Sequence, residues 1–213
     1  MRCSANWRPP AVHNASFIDA YLSEMQRVTS ELSREQIDRA IEAIFEAWKR
    51  GATVFLMGNG GSASTATHFA CDLSKVTIAD GKPRLRAVSL CDNIPLMSAW
   101  INDSGFEHLF SEQLRTLMRR GDVLVAISVH GGSGQDRGGP WSQNLLRAVR
   151  VAQEEFGATV IGFTGFDGGA LREMSNVWVH VPANSTPQTE SFHLVLEHLI
   201  TFCLKEKIAG SDA

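Results

Sequence analysis

The stretch "TVFLMGNGGSASTATHFACDLSK", Thr53–Lys75, changes character twice. It opens as a continuous apolar, β-rich run, Thr53–Gly58, and passes into small residues, "GNGGSAS". It then takes up helical spacing, with His68 and Asp72 four positions apart. A buried strand, a permissive loop and a helix follow from these three patterns in that order.

Four further runs share the character of the first: "LRAVSL", "DVLVAIS", "ATVIGFTG" and "NVWVHVP". Helix-like segments separate them. Continuous apolar strands alternating with helices predict a parallel sheet covered on both faces, an α/β chain. In such sheets ligands sit beyond the carboxyl ends of the strands. The loops "GNGGS" and "SVHGGS" both directly follow strands.

Upstream, Pro9 and Pro10 mark a loose leader, and residues 1–15 are read as flexible. From Ser16 to Arg50 the spacing is helical: Phe17, Tyr21 and Met25 form one stripe, and Ile37, Ile41, Ile44 and Trp48 another. Between them Ser33, with Gln36 three residues on, predicts a helix N-cap. Two helices therefore precede the sheet, and residues 16–213 read as one domain.

Composition excludes several classes. A formal charge of −3 offers no broad basic field for nucleic acid or an anionic membrane. No apolar run is long enough to span a bilayer, and the first residues lack the apolar centre of a secretory signal. Cys3, Cys71, Cys91 and Cys203 lack the spacing of a zinc cage or disulfide framework, which predicts reduced thiols in a cytoplasm.

The "GNGGSAS" loop suits an anion. Glycines allow close backbone approach, a helix N-terminus supplies N–H groups, and Ser62 and Ser64 add hydroxyls. It lacks a Walker lysine and the dinucleotide glycine spacing, so a nucleotide is not indicated. Taken alone, it reads equally as a tight turn capped by Ser62. The second loop, "SVHGGSGQDRGGPWSQN", offers Ser128, Ser133 or Ser142 as a cap for a helix beginning near Asn144. Together the two loops predict a polar cup for a phosphorylated small molecule.

Five stretches in this order, "GNGGS" with "HFACDL", "INDSGFEHLFSEQL", "GDVLVAIS", "TGFDGG" and "TPQTESFHLVLEH", resemble the sugar isomerase (SIS) domain family, specifically its phosphoheptose isomerases. The likeness runs from the first helix to about Lys205. It implies a three-layer αβα sandwich with a mainly parallel five-stranded sheet, preceded by N-terminal oligomerisation helices. It also implies a homotetramer with active sites at subunit boundaries, and bound zinc. The activity implied is conversion of sedoheptulose 7-phosphate to D-glycero-D-manno-heptose 7-phosphate.

Carried over by position, the resemblance implies substrate contacts from Asn59, Gly60, Gly61, Ser62, Asn102, Asp103, Ser128, His130, Ser133 and Gln188. His130 stands at a serine position, and an insertion delays the following helix start to Ser142–Asn144. The implied metal ligands are His68, Asp72, Glu190 and His198. Asp72 replaces a glutamate base, and Glu190 stands where a glutamine ligand is usual. Gln188 is the alternative replacement for that glutamine. Asp72 or Glu190 is then the base and His198 the acid.

The residues alone leave His68 and Asp72 as ligands of one divalent ion or as an acid/base pair, since i,i+4 side chains share a helix face. Three functions stay open. The first is an isomerase of heptose phosphate, and the second an isomerase of another sugar phosphate. The third is a non-catalytic module that binds a phosphosugar or a replication initiator. His193 is expected to serve packing or a tetramer contact, and His180 a structural role.

Overall fold

In the computed structural model residues 14–132 and 141–211 are described. They divide into two compact units, one ending at Leu32 and the other running from Ser33. The first consists of α1 (Asn14–Glu31), whose Phe17, Ile18 and Leu22 are exposed. Arg27 on this helix holds Glu24 and Glu31, pairs at helical i,i+3 and i,i+4 spacing.

The second unit begins where the sequence places a cap. Ser33 is the N-cap of α2 (Arg34–Lys49), its side chain accepting from the Gln36 N–H. This helix buries Ile37, Ile41, Ile44 and Trp48, the stripe read from its spacing. Then follow β1 (Thr53–Gly58), α3 (Gly61–Lys75), β2 (Arg86–Ser89), α4 (Ile94–Ser104) and a short 3-10 turn, Phe106–His108. After these come α5 (Ser111–Leu117), β3 (Val123–Ile127), α6 (Gln143–Phe156), β4 (Thr159–Thr164), α7 (Gly169–Met174), β5 (Val177–His180) and α8 (Thr186–Ala209).

All four strand pairings are parallel, and the order across the sheet is β2-β1-β3-β4-β5. The three inner strands are almost wholly buried, as continuous apolar runs require, whereas edge strand β2 alternates exposed and half-buried positions. Successive side chains face opposite layers. Phe55, Met57, Leu124 and Ala126 join a core with Leu114, Leu145 and Val149 from α5 and α6. Phe163 points the other way, edge-on to Phe69 of α3 and His193 of α8. Helices thus cover both faces of the sheet.

Strand order reverses direction between β1 and β3, because β2 is added on one side of β1 and β3 on the other. Connections diverging to opposite faces leave a crevice at the carboxyl ends of these two strands, the usual ligand position in doubly wound sheets. The two glycine-rich loops follow β1 and β3, so topology alone brings them to one place.

The second loop is fixed by close backbone approach. Gly131 has φ +64°, and a Cβ there would drive into the Gly168 carbonyl. The loop accepts a hydrogen bond at Gly131 O from Leu171 N (2.9 Å). Gly51 also has positive φ (+70°), with nothing near its missing Cβ. Gly51→Ala is therefore expected to cost about 1 kcal/mol of backbone strain alone. Gly131→Ala adds a backbone clash and should cost clearly more, read as the difference between the two denaturation midpoints.

His193 supplies a pH signature. It is buried, and burial lowers its pKa to about 4, with the nearby Thr164 backbone pulling upward and His180 pushing further down. A depressed histidine pKa favours the neutral folded form. Its contribution is complete above the ordinary value near 6.5 and is lost as pH falls toward 4. Stability lost between neutral pH and pH 4 should shrink by on the order of 3 kcal/mol in His193→Leu, measured by urea unfolding at both pH values.

Candidate functional site

Two neighbouring groups of residues emerge at this end of the sheet. The first is a cavity of about 170 Å³ lined by Asn59, Ser62, Ser128, His130, Ser142 and Glu190, with Trp141 and Thr186 completing its rim. Ser62 and Ser128 are buried. Ser128 Oγ accepts from Gly131 N (3.1 Å), which leaves its O–H as a donor toward an anion. The first loop has Gly60 at φ +57°, as the N-cap of α3 with no side-chain cap. The N–H groups of an uncapped helix start carry partial positive charge.

The two loops are tied together by paired amides. Asn59 Nδ2 donates to Asn144 Oδ1 (3.0 Å), and Asn144 Nδ2 donates back to Asn59 Oδ1 (2.8 Å). Asn144 is fully buried in the first turn of α6. Asn59 thus both lines the cavity and fixes the first loop to the helix that follows the second. Its side chain was expected on the sugar, and half of its hydrogen-bonding capacity is taken by this clasp.

The second group lies further along α3. His68, Asp72, Glu197 and His198 each offer one ligand-capable atom, all within 4.8 Å of one another. Asp72 Oδ2 stands 3.7 Å from His68 Nε2 and 3.6 Å from His198 Nε2. Glu197 Oε1 stands 3.8 Å and 3.2 Å from the same two nitrogens. The imidazole rings meet edge to face, their centroids 5.0 Å apart. Both histidine side chains are over two-fifths exposed, whereas Glu197 is fully buried. Burial, with the nearby Asp72 charge, pushes the Glu197 carboxyl up to about 8.

One residue of the expected set lies apart. Glu190 is absent from the cluster and lies against Gly61, where a Cβ would drive into its carboxylate. Along α8, which runs unbroken from Thr186 to Ala209, Glu190 stands eight positions and about 12 Å of rise before His198. Since Glu190 meets the start of α3 while His198 meets its His68 and Asp72, the two helices run side by side in the same direction. Each charged position on α8 therefore faces a different level of α3.

Glu197 was missed by sequence reasoning. Its signal was a carboxylate inside the apolar run "FHLVLEHLI", on the buried face with His193 and Thr201 at i−4 and i+4. Gln188 is buried on α8 and is not among the cavity's lining residues. Asn102 and Asp103 are exposed on α4, joined by an Asn102 Nδ2 to Asp103 Oδ1 bond (2.7 Å), and lie outside the cavity lining. Gly60 and Gly61 form the start of α3 as expected. His130 lines the cavity with its ring 4.1 Å from that of Phe166.

Ser133 lies outside the described residues. Ser142 precedes α6 in a left-handed conformation and makes no side-chain cap bond, so it positions the helix start without capping it. His180 packs on Trp178, and both rings approach Thr164, in keeping with a packing role.

Comparison with known proteins agrees with this geometry. Residues 16–165 match the family model described as SIS domain. The chain is 42% identical over 189 residues to a lincomycin biosynthesis protein of Streptomyces lincolnensis, covering 87% of this chain and 67% of that protein. It is 34% identical over 202 residues to the phosphoheptose isomerase of Burkholderia pseudomallei, covering 92% and 97% respectively. The structure of phosphoheptose isomerase from Neisseria gonorrhoeae superposes with a TM-score of 0.80 at 32% identity, covering 91% of this chain and all of that one. These matches, over a fold with a polar cavity at the sheet's switch point and a histidine–carboxylate cluster beyond it, establish that the chain belongs to the SIS domain family, among the phosphoheptose isomerases.

Proposed function

We propose that the protein is an aldose–ketose isomerase of phosphorylated sugars, converting sedoheptulose 7-phosphate to D-glycero-D-manno-heptose 7-phosphate through an enediol. One observation carries this reading. The anion cup and the proton-transfer cluster sit at two levels of one helix, Ser62 and His68 being separated by about 9 Å of rise. That arrangement fits a chain of several carbons with phosphate at one end and carbonyl at the other.

The phosphate end docks on Ser62, Ser128 and the N-terminal N–H groups of α3. Binding there orients the distant carbonyl end without extra contacts at the reacting carbons. Asp72 removes the proton from the carbon next to the carbonyl and returns it to the neighbouring carbon. His198 moves the hydroxyl proton between the two oxygens, acting as acid and then as base. Asp72 and His198 lie 3.6 Å apart, so both can address adjacent atoms of one substrate.

A divalent metal, zinc, belongs to this reading. His68, Asp72 and His198 would hold it, an imidazole and carboxylate set that suits zinc, and with Asp72 Oδ2 and His198 Nε2 so used the proton transfers would fall to Asp72 Oδ1 and His198 Nδ1. When bound, it supplies charge stabilisation for the substrate oxygens. The fit rests on a buried feature of this chain: neither Glu197 oxygen has a hydrogen-bond partner, which a nearby cation would offset.

The proposed assembly is a homotetramer with active sites at subunit boundaries. Val195, Leu199 and Phe202 form an exposed apolar strip at i, i+4, i+7 on α8. α4 has no buried residue and exposes Ile94, Leu96 and Ile101. Asn102 and Asp103, on that helix and outside the cavity, would reach substrate across such a boundary. A cytoplasmic setting is part of the same proposal and is supported by the free thiols of Cys71, Cys91 and Cys203. Among the described residues no helix is long and apolar enough to cross a membrane. A second reading, isomerisation of another sugar phosphate, is favoured by the 42% identity to the lincomycin biosynthesis protein.

The deciding experiment incubates the metal-loaded protein with pentose, hexose and heptose phosphates and identifies the separated products. Interconversion of the heptose pair is expected. Turnover of a different sugar phosphate alone selects the second reading, and no turnover of any leaves a binding module. Ser62→Ala and Ser128→Ala should each raise KM by the equivalent of about 1.5–3 kcal/mol, the strength of a hydrogen bond to a charged group. An unchanged KM in both variants removes the phosphate cup. Light scattering should give four times the monomer mass, and a stable monomer at micromolar concentration contradicts the assembly.

A further inference from the structure

We propose that Glu197 completes the metal site as its fourth protein ligand, the position that Glu190 does not reach. The proposal deepens the isomerase reading, taking from it only the presence of a divalent ion. Glu197 is fully buried in a helix otherwise lined on that face by Phe192, His193, Leu196 and Ile200. A carboxylate placed there without a donor is costly. Among the buried side-chain atoms, both its oxygens are without a hydrogen-bond partner. Its Oε1 is nevertheless aimed at His198 Nε2 (3.2 Å) and His68 Nε2 (3.8 Å), the nitrogens that also face Asp72.

The separations match an ion-centred arrangement. Around a four-coordinate zinc with bonds near 2.0–2.1 Å, ligand atoms stand about 3.3 Å apart. The four histidine–carboxylate separations range from 3.2 to 3.8 Å, and all the ligand atoms lie within 4.8 Å of one another, mostly wide of that figure as in a site that contracts around an ion. Two neutral imidazoles and two carboxylates carry a charge of −2, which a divalent cation neutralises. A buried carboxylate without hydrogen bonds is then explained by its ligand role, since the ion replaces the missing donors. The side chains also differ in exposure. Glu197 closes the site from beneath, and the part-exposed His68 and His198 form its outer side.

Glu190 takes a different place. It lies on the same helix, about 12 Å of rise away, against the first turn of α3 and beside Ser62 and Ser128. Two acidic residues of one helix are thus assigned to two subsites, Glu197 to the ion and Glu190 to the wall of the anion cup.

The test is metal binding by the purified full chain, with no turnover required. Zn²⁺ affinity is measured by competition with a chromophoric chelator, and Co²⁺ is titrated while its visible absorption is followed. The wild type should bind one ion per chain and show the intense visible bands of four-coordinate Co²⁺. Glu197→Gln should weaken Zn²⁺ binding by at least the roughly 10–100-fold that loss of an outer-shell partner costs, and should alter the Co²⁺ bands. Glu190→Gln should leave both unchanged. Circular dichroism checks the fold of each variant. Glu197→Asp, which keeps the charge one methylene short, gives a second arm should the glutamine variant fold poorly, and should also lose affinity. Glu197→Gln or Glu197→Asp binding Zn²⁺ as tightly as the wild type overturns the proposal, as does loss of the ion from Glu190→Gln. Failure of the isomerase reading would instead appear as absent turnover by a wild type that still binds its ion.

Discussion

The fold's functional arrangement depends on one constraint: β1 must turn into α3 at the switch point of the sheet. Parallel order 2-1-3-4-5 opens a crevice there, and the glycine loop lets the helix begin within it. Once α3 starts at Gly61, its rigid 1.5 Å rise fixes where every later side chain stands. Ser62 meets the anion cup, and His68 and Asp72 meet the two donors brought by α8. Everything proposed for the site follows from this pair of helices running in the same direction.

The asymmetry in burial gives the site its chemical character. The anion cup is built from backbone N–H groups and hydroxyls, with the Asn59–Asn144 amide pair holding its two walls together. Apart from Glu190 in its wall the lining carries no acidic side chain, and the amide pair holds the two loops in place before any ligand arrives. The cluster beyond it is charged, with Glu197 at its base and Asp72 only part-exposed. Buried carboxylates weaken a fold unless something compensates them. Keeping two beside two histidines is therefore better understood as a functional arrangement than as a stabilising one.

Much of this was legible from the chain. The three inner strands announced themselves by uninterrupted apolar runs, Ser33 by its capping position, and the two glycine-rich loops by their place directly after strands. What the sequence could not resolve was depth along a helix. Glu190 and Glu197 are both acidic residues on α8, and positional resemblance pointed to the first. Only the level at which α8 packs against α3 distinguishes them, and that depends on tertiary register. The same holds for Ser142, whose left-handed backbone keeps it from capping α6, and for the exposed Asn102 and Asp103. Asn59 lines the cavity, and its second part, the clasp to Asn144, was invisible because that partner is remote in sequence and becomes a neighbour only through the strand order.

The central claim is that the phosphate seat and the proton-transfer cluster act on one substrate through α3. It is tested most directly by deuterium exchange at the carbon next to the carbonyl, followed by proton NMR in D₂O. The metal-loaded protein is given sedoheptulose 7-phosphate and, separately, sedoheptulose without its phosphate. The account predicts deuterium entering the phosphorylated sugar at that carbon during isomerisation, and much slower exchange in the unphosphorylated one. Equal exchange rates for the two sugars would contradict it.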